Sequence, residues 1–262
     1  YTDKTFLAAG GLKNIFKVYD SKLNRDIALA ELKEHLPEEQ CETFLEEINL
    51  TASLRHPNII TVYDFGVNDQ QLPYFTMELK VGDSLADIIK KQQRTLKERL
   101  EIFIKVCDAV AYAHSKKIIH LDLKPENIQV GEFGEVQLCD WGLSQEITGS
   151  LINQKIKGTP GYMAPEQLEK GAPLDARTDV FALGAILSSL VTEERPIAGG
   201  VNTVIASTTS DKIPSPSERF PNKDIPMSLD SVIQKTMAIP PNERYQKVDD
   251  LRCEINQYLT GH

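Results

Sequence analysis

Paired cysteines are missing from this chain: Cys41, Cys107, Cys139 and Cys253 lie far apart and form no C-x-x-C, so neither a zinc site nor a disulfide framework is indicated. Cys139 reads as a small buried strand residue. An excess of positive charge is missing too, since 38 acidic residues outnumber 29 basic ones and leave a net charge of -9. That balance argues against a nucleic-acid-binding surface and leaves a basic protein partner compatible. No apolar run approaches the roughly 18 uncharged residues of a membrane span, and nothing at the start resembles a signal peptide, which suits a cytoplasmic fragment without membrane contact. The chain opens on Tyr1 without an initiator Met, which suggests a piece of a longer polypeptide whose other segments could carry an anchor.

What is present is enough apolar sequence, 41% of 262 residues, for a large core. The first eighty residues read as strands with one helix and the rest as helices with polar connections, an α+β pattern in two parts. Asn14 to Asp20 and Asp26 to Leu32 form a strand hairpin joined by a polar turn. Pro37 opens a helix carrying Phe44, Ile48 and Leu54 that ends before His56-Pro57, and the strand candidates Ile59 to Phe65 and Tyr74 to Glu78 follow. Thr95 and Glu98 make a capping box for a helix with Leu100, Phe103, Cys107 and Val110 at helical spacing. Ile128 to Val130 and Val136 to Leu138 flank a small hairpin turn. Later helices are expected over 179–191, 228–237 and 248–259. The Ser/Thr/Pro-rich stretch from Pro196 to Pro226 is the least structured on composition.

The most informative segment is His120-Leu121-Asp122-Leu123-Lys124-Pro125-Glu126-Asn127, followed by Asp140-Trp141-Gly142 and then by Ala164-Pro165-Glu166. In order and spacing these resemble the catalytic loop, the metal-binding D-F-G and the A-P-E of eukaryotic-type protein kinases. The resemblance covers nearly the whole chain. It implies a two-lobed fold: a small β-rich lobe with one main helix over 1–79, a hinge over 80–83 and a larger, mainly helical lobe over 84–262. Gly158-Thr159-Pro160-Gly161-Tyr162 with Lys124 is similar to serine/threonine rather than tyrosine kinases, and the phrasing around His56-Pro57 and Asp179 looks like bacterial members.

The expected activity is ATP- and Mg2+-dependent phosphoryl transfer to Ser or Thr of a protein substrate. Such transfer asks the protein for positioning and charge rather than covalent chemistry. By resemblance, Asp122 accepts the substrate hydroxyl proton, Lys124 places positive charge near the transferred group, and Asn127 and Asp140 are the metal ligands. Glu47 falls where the glutamate of the small-lobe helix is expected. Leu7, Gly10, Gly11, Ile15, Ala28, Met77, Glu78, Lys80 and Gln129 line the nucleotide pocket, with the Glu78 carbonyl and Lys80 amide meeting the adenine. His120 belongs to a hydrophobic spine, while Asp179 braces the catalytic loop and Arg244 pairs with Glu166.

The departures are as telling. The third-strand lysine of the family falls on Ala30, in Ile27-Ala28-Leu29-Ala30, and strand alternation turns Glu31 and Lys33 to the other face. The glycine-rich loop reads Ala8-Ala9-Gly10-Gly11-Leu12-Lys13, with Lys13 at the third glycine. Two residues before Ile15, Lys13 is aimed at the nucleotide, an arrangement similar to the with-no-lysine kinases. Two other accounts of Ala30 stay open: a kinase-like scaffold without catalysis, and an alanine introduced to silence the enzyme. Leu121 stands where the family has arginine, so activity is expected not to depend strictly on a phosphorylated activation loop at Thr148, Ser150 or Thr159. Trp141 replaces phenylalanine and needs a partner for its indole N–H once buried.

Overall fold

The computed structural model describes residues 1–147, 158–197, 201–208 and 213–261. The first lobe is a five-stranded antiparallel sheet in the order β1-β2-β3-β5-β4, built from β1 (Thr2–Ala9), β2 (Lys13–Asp20), β3 (Arg25–Leu32), β4 (Val62–Val67) and β5 (Pro73–Met77). Helix α1 (Glu38–Ser53) lies beneath it. In β3 the alternation is resolved in two directions. Ala28, Ala30 and Leu32 join the main core with α1, whereas Ile27 and Leu29 pack with Val18 and Phe16 in a separate cluster on the outer face. The ring of Phe44 on α1 stands 5.6 Å from that of Phe75 on β5, which fixes the helix against the inner face.

The register places Lys13 opposite Leu32, Ile15 opposite Ala30 and Ala30 opposite Phe75. Lys13 therefore shares the inner face with Ala30, as strand parity requires. Neither β1, exposed along its whole length, nor its pairing with β2 was legible as a strand, because no residue of it alternates into the core.

The second lobe starts with β6 (Asp83–Ser84) and α2 (Leu85–Lys91), capped by a Ser84–Asp87 box, and then α3 (Leu96–Ser115), capped by Thr95 and Glu98 as the sequence indicates. Strands β7 (Ile118–Ile119), β8 (Ile128–Val130), β9 (Val136–Leu138) and β10 (Gln145–Glu146) frame the catalytic-loop segment, β8 and β9 pairing as the expected hairpin. Helices α4 (Pro165–Leu168) and α5 (Ala176–Thr192) follow. Helix α5 is buried on nearly all sides, from Thr178 to Leu190, which marks it as the central helix of the lobe. Gly184 lets it approach α8 closely.

Helices α6 (Val201–Thr208), α7 (Pro216–Arg219), α8 (Met227–Thr236) and α9 (Val248–Thr260) complete the lobe. The first two fall within Pro196 to Pro226, the stretch expected to be least structured, of which 198–200 and 209–212 lie outside the described residues. A Ser215 cap with Glu218 at its N3 position starts α7 despite the flanking prolines. Among the described residues no helix is long and apolar enough to cross a membrane.

Candidate active site

The cleft between sheet and helices gathers residues from six separate segments. Lys13 Nζ meets the Glu47 carboxylate of α1 in an ion pair whose side chains are 12% and 6% exposed, and it lies 3.4 Å from Asp140 Oδ1. Ala30, on the same face of the sheet, is fully buried, and the Lys13 ammonium stands 5.8 Å from the centre of the Phe75 ring. Burial alone would push the Lys13 pKa down, but Glu47 and Asp140 together hold it above the usual lysine value. Burial pushes the Glu47 carboxyl up, and Lys13 reverses only part of that. Burial acts upward on Asp140 as well, yet Lys13, together with His120 and Lys80, outweighs it and keeps that carboxyl below the usual aspartate value. Gly142 packs directly on this group, for a Cβ there would sit 3.1 Å from Glu47 Oε2 and 3.5 Å from Asp140 Oδ1.

The loop after β7 is held from below. Asp179, fully buried on α5, accepts hydrogen bonds from the backbone N–H of His120 (2.8 Å) and Leu121 (2.9 Å) and lies 2.8 Å from His114 Nε2. Burial pushes its pKa up, but the His114 hydrogen bond and neighbouring charge leave it below the usual value. With two amides and a ring nitrogen fixed, Leu121 adopts a left-handed φ of 66°, a costly conformation for a leucine that the surroundings must impose. Gln167 Nε2 secures the Leu121 carbonyl at 3.0 Å. His120 is buried and neutral, its Nδ1 accepting from the Asp122 N–H at 3.2 Å and its Nε2 directed at the Cys139 carbonyl at 3.3 Å. Its ring lies 4.6 Å from that of Trp141, which agrees with the spine assignment. The indole N–H of Trp141 donates to the Leu138 carbonyl at 3.4 Å, the partner its burial demands.

Asp122 stands at the end of this support. Its Oδ2 is 2.7 Å from Lys124 Nζ, and its Oδ1 accepts the Thr159 hydroxyl at 2.7 Å. Lys124 also donates to Thr159 Oγ1 at 2.8 Å, closing a triangle. Thr159 is thus engaged with the loop rather than presented to solvent, a link that sequence reasoning missed because 37 residues separate it from Asp122. Its only signal was the Gly158-Thr159-Pro160 phrase. Thr148 and Ser150 lie outside the described residues. Asn127 Nδ2 donates to the Asp122 carbonyl at 3.0 Å, so its amide oxygen is the atom left to act as a ligand. That oxygen and the Asp140 carboxylate, side chain 45% exposed and with φ 61°, are hard donors on two adjoining loops, a set that suits a small divalent cation.

The remaining pocket residues fall into two groups. Ala28 pairs with Met77 and Ala30 with Ile15, so Ile15, Ala28 and Met77 meet at the inner face. Leu7 lies at a bulge in β1 between the partners of Phe16 and Ile15, half exposed. The Glu78 side chain turns away from the cleft to accept from Gln137. Gln129, expected under the adenine, lines with Glu78, Leu79, Val81, Phe133 and Gln137 a cavity of about 260 Å³ beside the hinge. Burial raises the pKa of the Cys139 thiol, and the positive charge of Lys80 partly restrains it. A cavity of about 1000 Å³ lies elsewhere, between α1 and β4, lined by Leu45, Ile48, Tyr63 and Phe65 and by none of the residues named above around Asp122.

Further down, Glu166 and Arg244 form a buried two-pronged pair, at 2.7 and 2.8 Å, the pairing that the family resemblance implies. The protein kinase domain family model matches residues 1–254. The serine/threonine-protein kinase PknD of Chlamydia abortus is 34% identical over 97% of this chain and 30% of its own length. PknD of Protochlamydia amoebophila is 34% identical over 97% of the chain and 29% of its own. For PknD of Chlamydia trachomatis serovar D the figures are 32%, 97% and 31%. The chain therefore spans about 30% of the length of the curated relatives it matches.

Proposed function

The chain belongs to the protein kinase domain family, and from that premise we propose that it transfers the γ-phosphoryl group of ATP to serine or threonine hydroxyls of a protein substrate. In this reading Lys13 supplies the charge that Ala30 cannot. The observation that carries it is the meeting of Lys13 with Glu47 and Asp140 on the face of the sheet that also carries the fully buried Ala30. Adjacent strands are about 4.8 Å apart, well within the reach of a lysine stem, so an ammonium from β2 can serve the phosphates that a β3 lysine would serve.

Each residue then has a task. Glu47 holds Lys13 in place, and Lys13 offers its remaining N–H bonds to the phosphates. Asp122 accepts the proton of the incoming hydroxyl, which its two hydrogen bonds to Lys124 and Thr159 orient for in-line attack. Lys124 neutralises charge on the transferred group. Asn127 and Asp140 would hold Mg2+, which would supply positive charge against the phosphates. Ile15, Ala28, Met77 and Leu7 enclose the base, Gly10 and Gly11 cover the phosphates, the Glu78 carbonyl and Lys80 amide read the adenine edge, and Gln129 forms the floor beneath the adenine. We assign residues 1–79 and 84–262 to the two lobes, with 80–83 as hinge.

Leu121 offers no cation beside Asp122 for a phosphorylated loop, which supports activity that does not require that modification. The net charge of -9 favours basic protein substrates over nucleic acid, and a cytoplasmic setting suits both ATP supply and four unpaired cysteines. The test is phosphate incorporation into a basic generic substrate by the purified chain with ATP and MgCl2, beside Asp122→Asn and Lys13→Met. The reading expects label on Ser or Thr with the parent alone. Equal label from all three would sink it. An inactive parent rescued by Ala30→Lys in a Lys13→Gly background would favour a lysine that was lost rather than moved.

A further inference from the structure

We infer that Lys33 is a positioning residue for the phosphate-covering turn, a role that rests on the kinase reading above. Lys33 follows the last residue of β3. Its backbone N–H donates to the Leu12 carbonyl at 2.9 Å, and its Nζ donates to the carbonyls of Gly10 (2.5 Å) and Gly11 (3.3 Å). One residue of the neighbouring strand therefore holds three consecutive carbonyls of the β1–β2 turn. The turn is closed separately by the Gly10 N–H, which donates to the Lys13 carbonyl at 2.8 Å.

The direction of these bonds decides what they do. Leu32 is buried on the inner face beside Lys13, so Lys33 projects from the outer face, like Glu31 with its Lys4 partner. In a planar trans peptide the N–H points opposite to the C=O. Drawing the Gly10 and Gly11 carbonyls toward an outer ammonium turns the N–H groups of Gly11 and Leu12 away from it, toward the cleft. The cation also aligns the two peptide dipoles with their positive ends inward, the disposition that receives an anion.

The glycines point the same way. A Cβ on Gly11 would meet nothing within 4 Å, and one on Gly10 would come no nearer than 3.6 Å. Neither residue has a left-handed φ. The fold itself has no need of glycine at either position, so what the two glycines provide is uncovered backbone that a phosphate can approach. Lys13 would touch that phosphate. Lys33 would not, and acts only through the amides it orients.

Binding of a ribose-labelled fluorescent ATP and of unlabelled adenosine in competition tests this on the whole chain. Lys33→Met should weaken ATP by about fivefold to tenfold, as for loss of one charge-assisted contact, and leave adenosine within about twofold. Lys33→Arg should restore most of the ATP affinity. Lys4→Met, which removes a cation from the same outer face without touching the turn, should leave ATP affinity unchanged. Unaltered ATP binding by Lys33→Met overturns the inference, as does equal loss of ATP and adenosine, or a Lys4→Met effect of the same size. A parent chain that binds no ATP overturns the kinase reading itself, and this inference with it.

Discussion

Replacing Lys13 with Met removes an ammonium that is 12% exposed and strands the carboxylate of Glu47, which is 6% exposed. Leaving one member of a buried pair uncompensated costs about 3–5 kcal/mol. Glu47 has one escape, to bind a proton. Burial already pushes its pKa up against the opposing pull of Lys13, and without Lys13 it rises further. A carboxyl whose folded pKa lies above its unfolded value costs nothing below that unfolded value, about 4.3. Above it the cost grows by about 1.4 kcal/mol per pH unit until the folded pKa is reached. The deficit of Lys13→Met relative to the parent should therefore be about 3 kcal/mol at pH 7.5, a fall in Tm of about 6–12 °C, and shrink to under about 1 kcal/mol near pH 5. Lys13→Met with Glu47→Gln should recover at least half the loss at pH 7.5 and show no such pH slope. Thermal unfolding of the three proteins followed by circular dichroism at both pH values measures this. A deficit equal at both pH values, or a double variant no better than Lys13→Met, would refute the argument. Phosphotransfer should meanwhile drop about 10²- to 10³-fold at every pH, because the missing charge acts on the phosphates and not only on the fold.

Other outcomes follow from the same geometry. Asp179→Asn should cost about 2–4 kcal/mol, since one of its oxygens becomes an NH2 facing the donors from His120 or Leu121. Asp179 has a folded pKa below its unfolded value, so its contribution is present above about pH 4 and lost as pH falls through the folded pKa. The gap between parent and variant should thus close in acid, and acid titration of stability that left it unchanged would contradict this. Gly142→Ala places a methyl 3.1 Å from Glu47 Oε2 and should lower kcat/KM by about tenfold or more, with Tm nearly unchanged, by displacing the carboxylate that holds Lys13. Gly184→Ala should do the opposite. Its methyl would sit 2.8 Å from both Met237 Cγ and Thr236 Cγ2, forcing α5 from α8 at about 1–3 kcal/mol, with KM for ATP unaltered.

Long periodic elements were legible in the sequence because burial writes them there. The helix carrying Leu100, Phe103 and Cys107 starts at the Thr95–Glu98 box, and the buried run of α5 extends the expected 179–191 to Ala176–Thr192. Lys13 could be placed on the face of Ala30 because side chains alternate with period two along paired strands. What stayed hidden depends on contacts between distant segments. Nothing near Asp122 announces that Thr159 caps it or that Gln167 holds the Leu121 carbonyl. Helix α6 escaped because Ser and Thr dominate the surrounding composition, and β1 because an edge strand exposed on both faces carries no alternation. Lys33 was read correctly as turned away from the Ala30 face, yet parity alone could not show that it bends back onto the glycine carbonyls.

Lys13 is the first residue of β2, at the very tip of a two-stranded flap. A cation carried there travels with the flap, whereas one planted in the middle of β3 would stay behind when the flap lifts. On the proposed reading, lifting of the tip would draw the ammonium off Glu47 and cost α1 its ionic tie to the sheet. Departure of spent nucleotide and loosening of that helix would then be coupled.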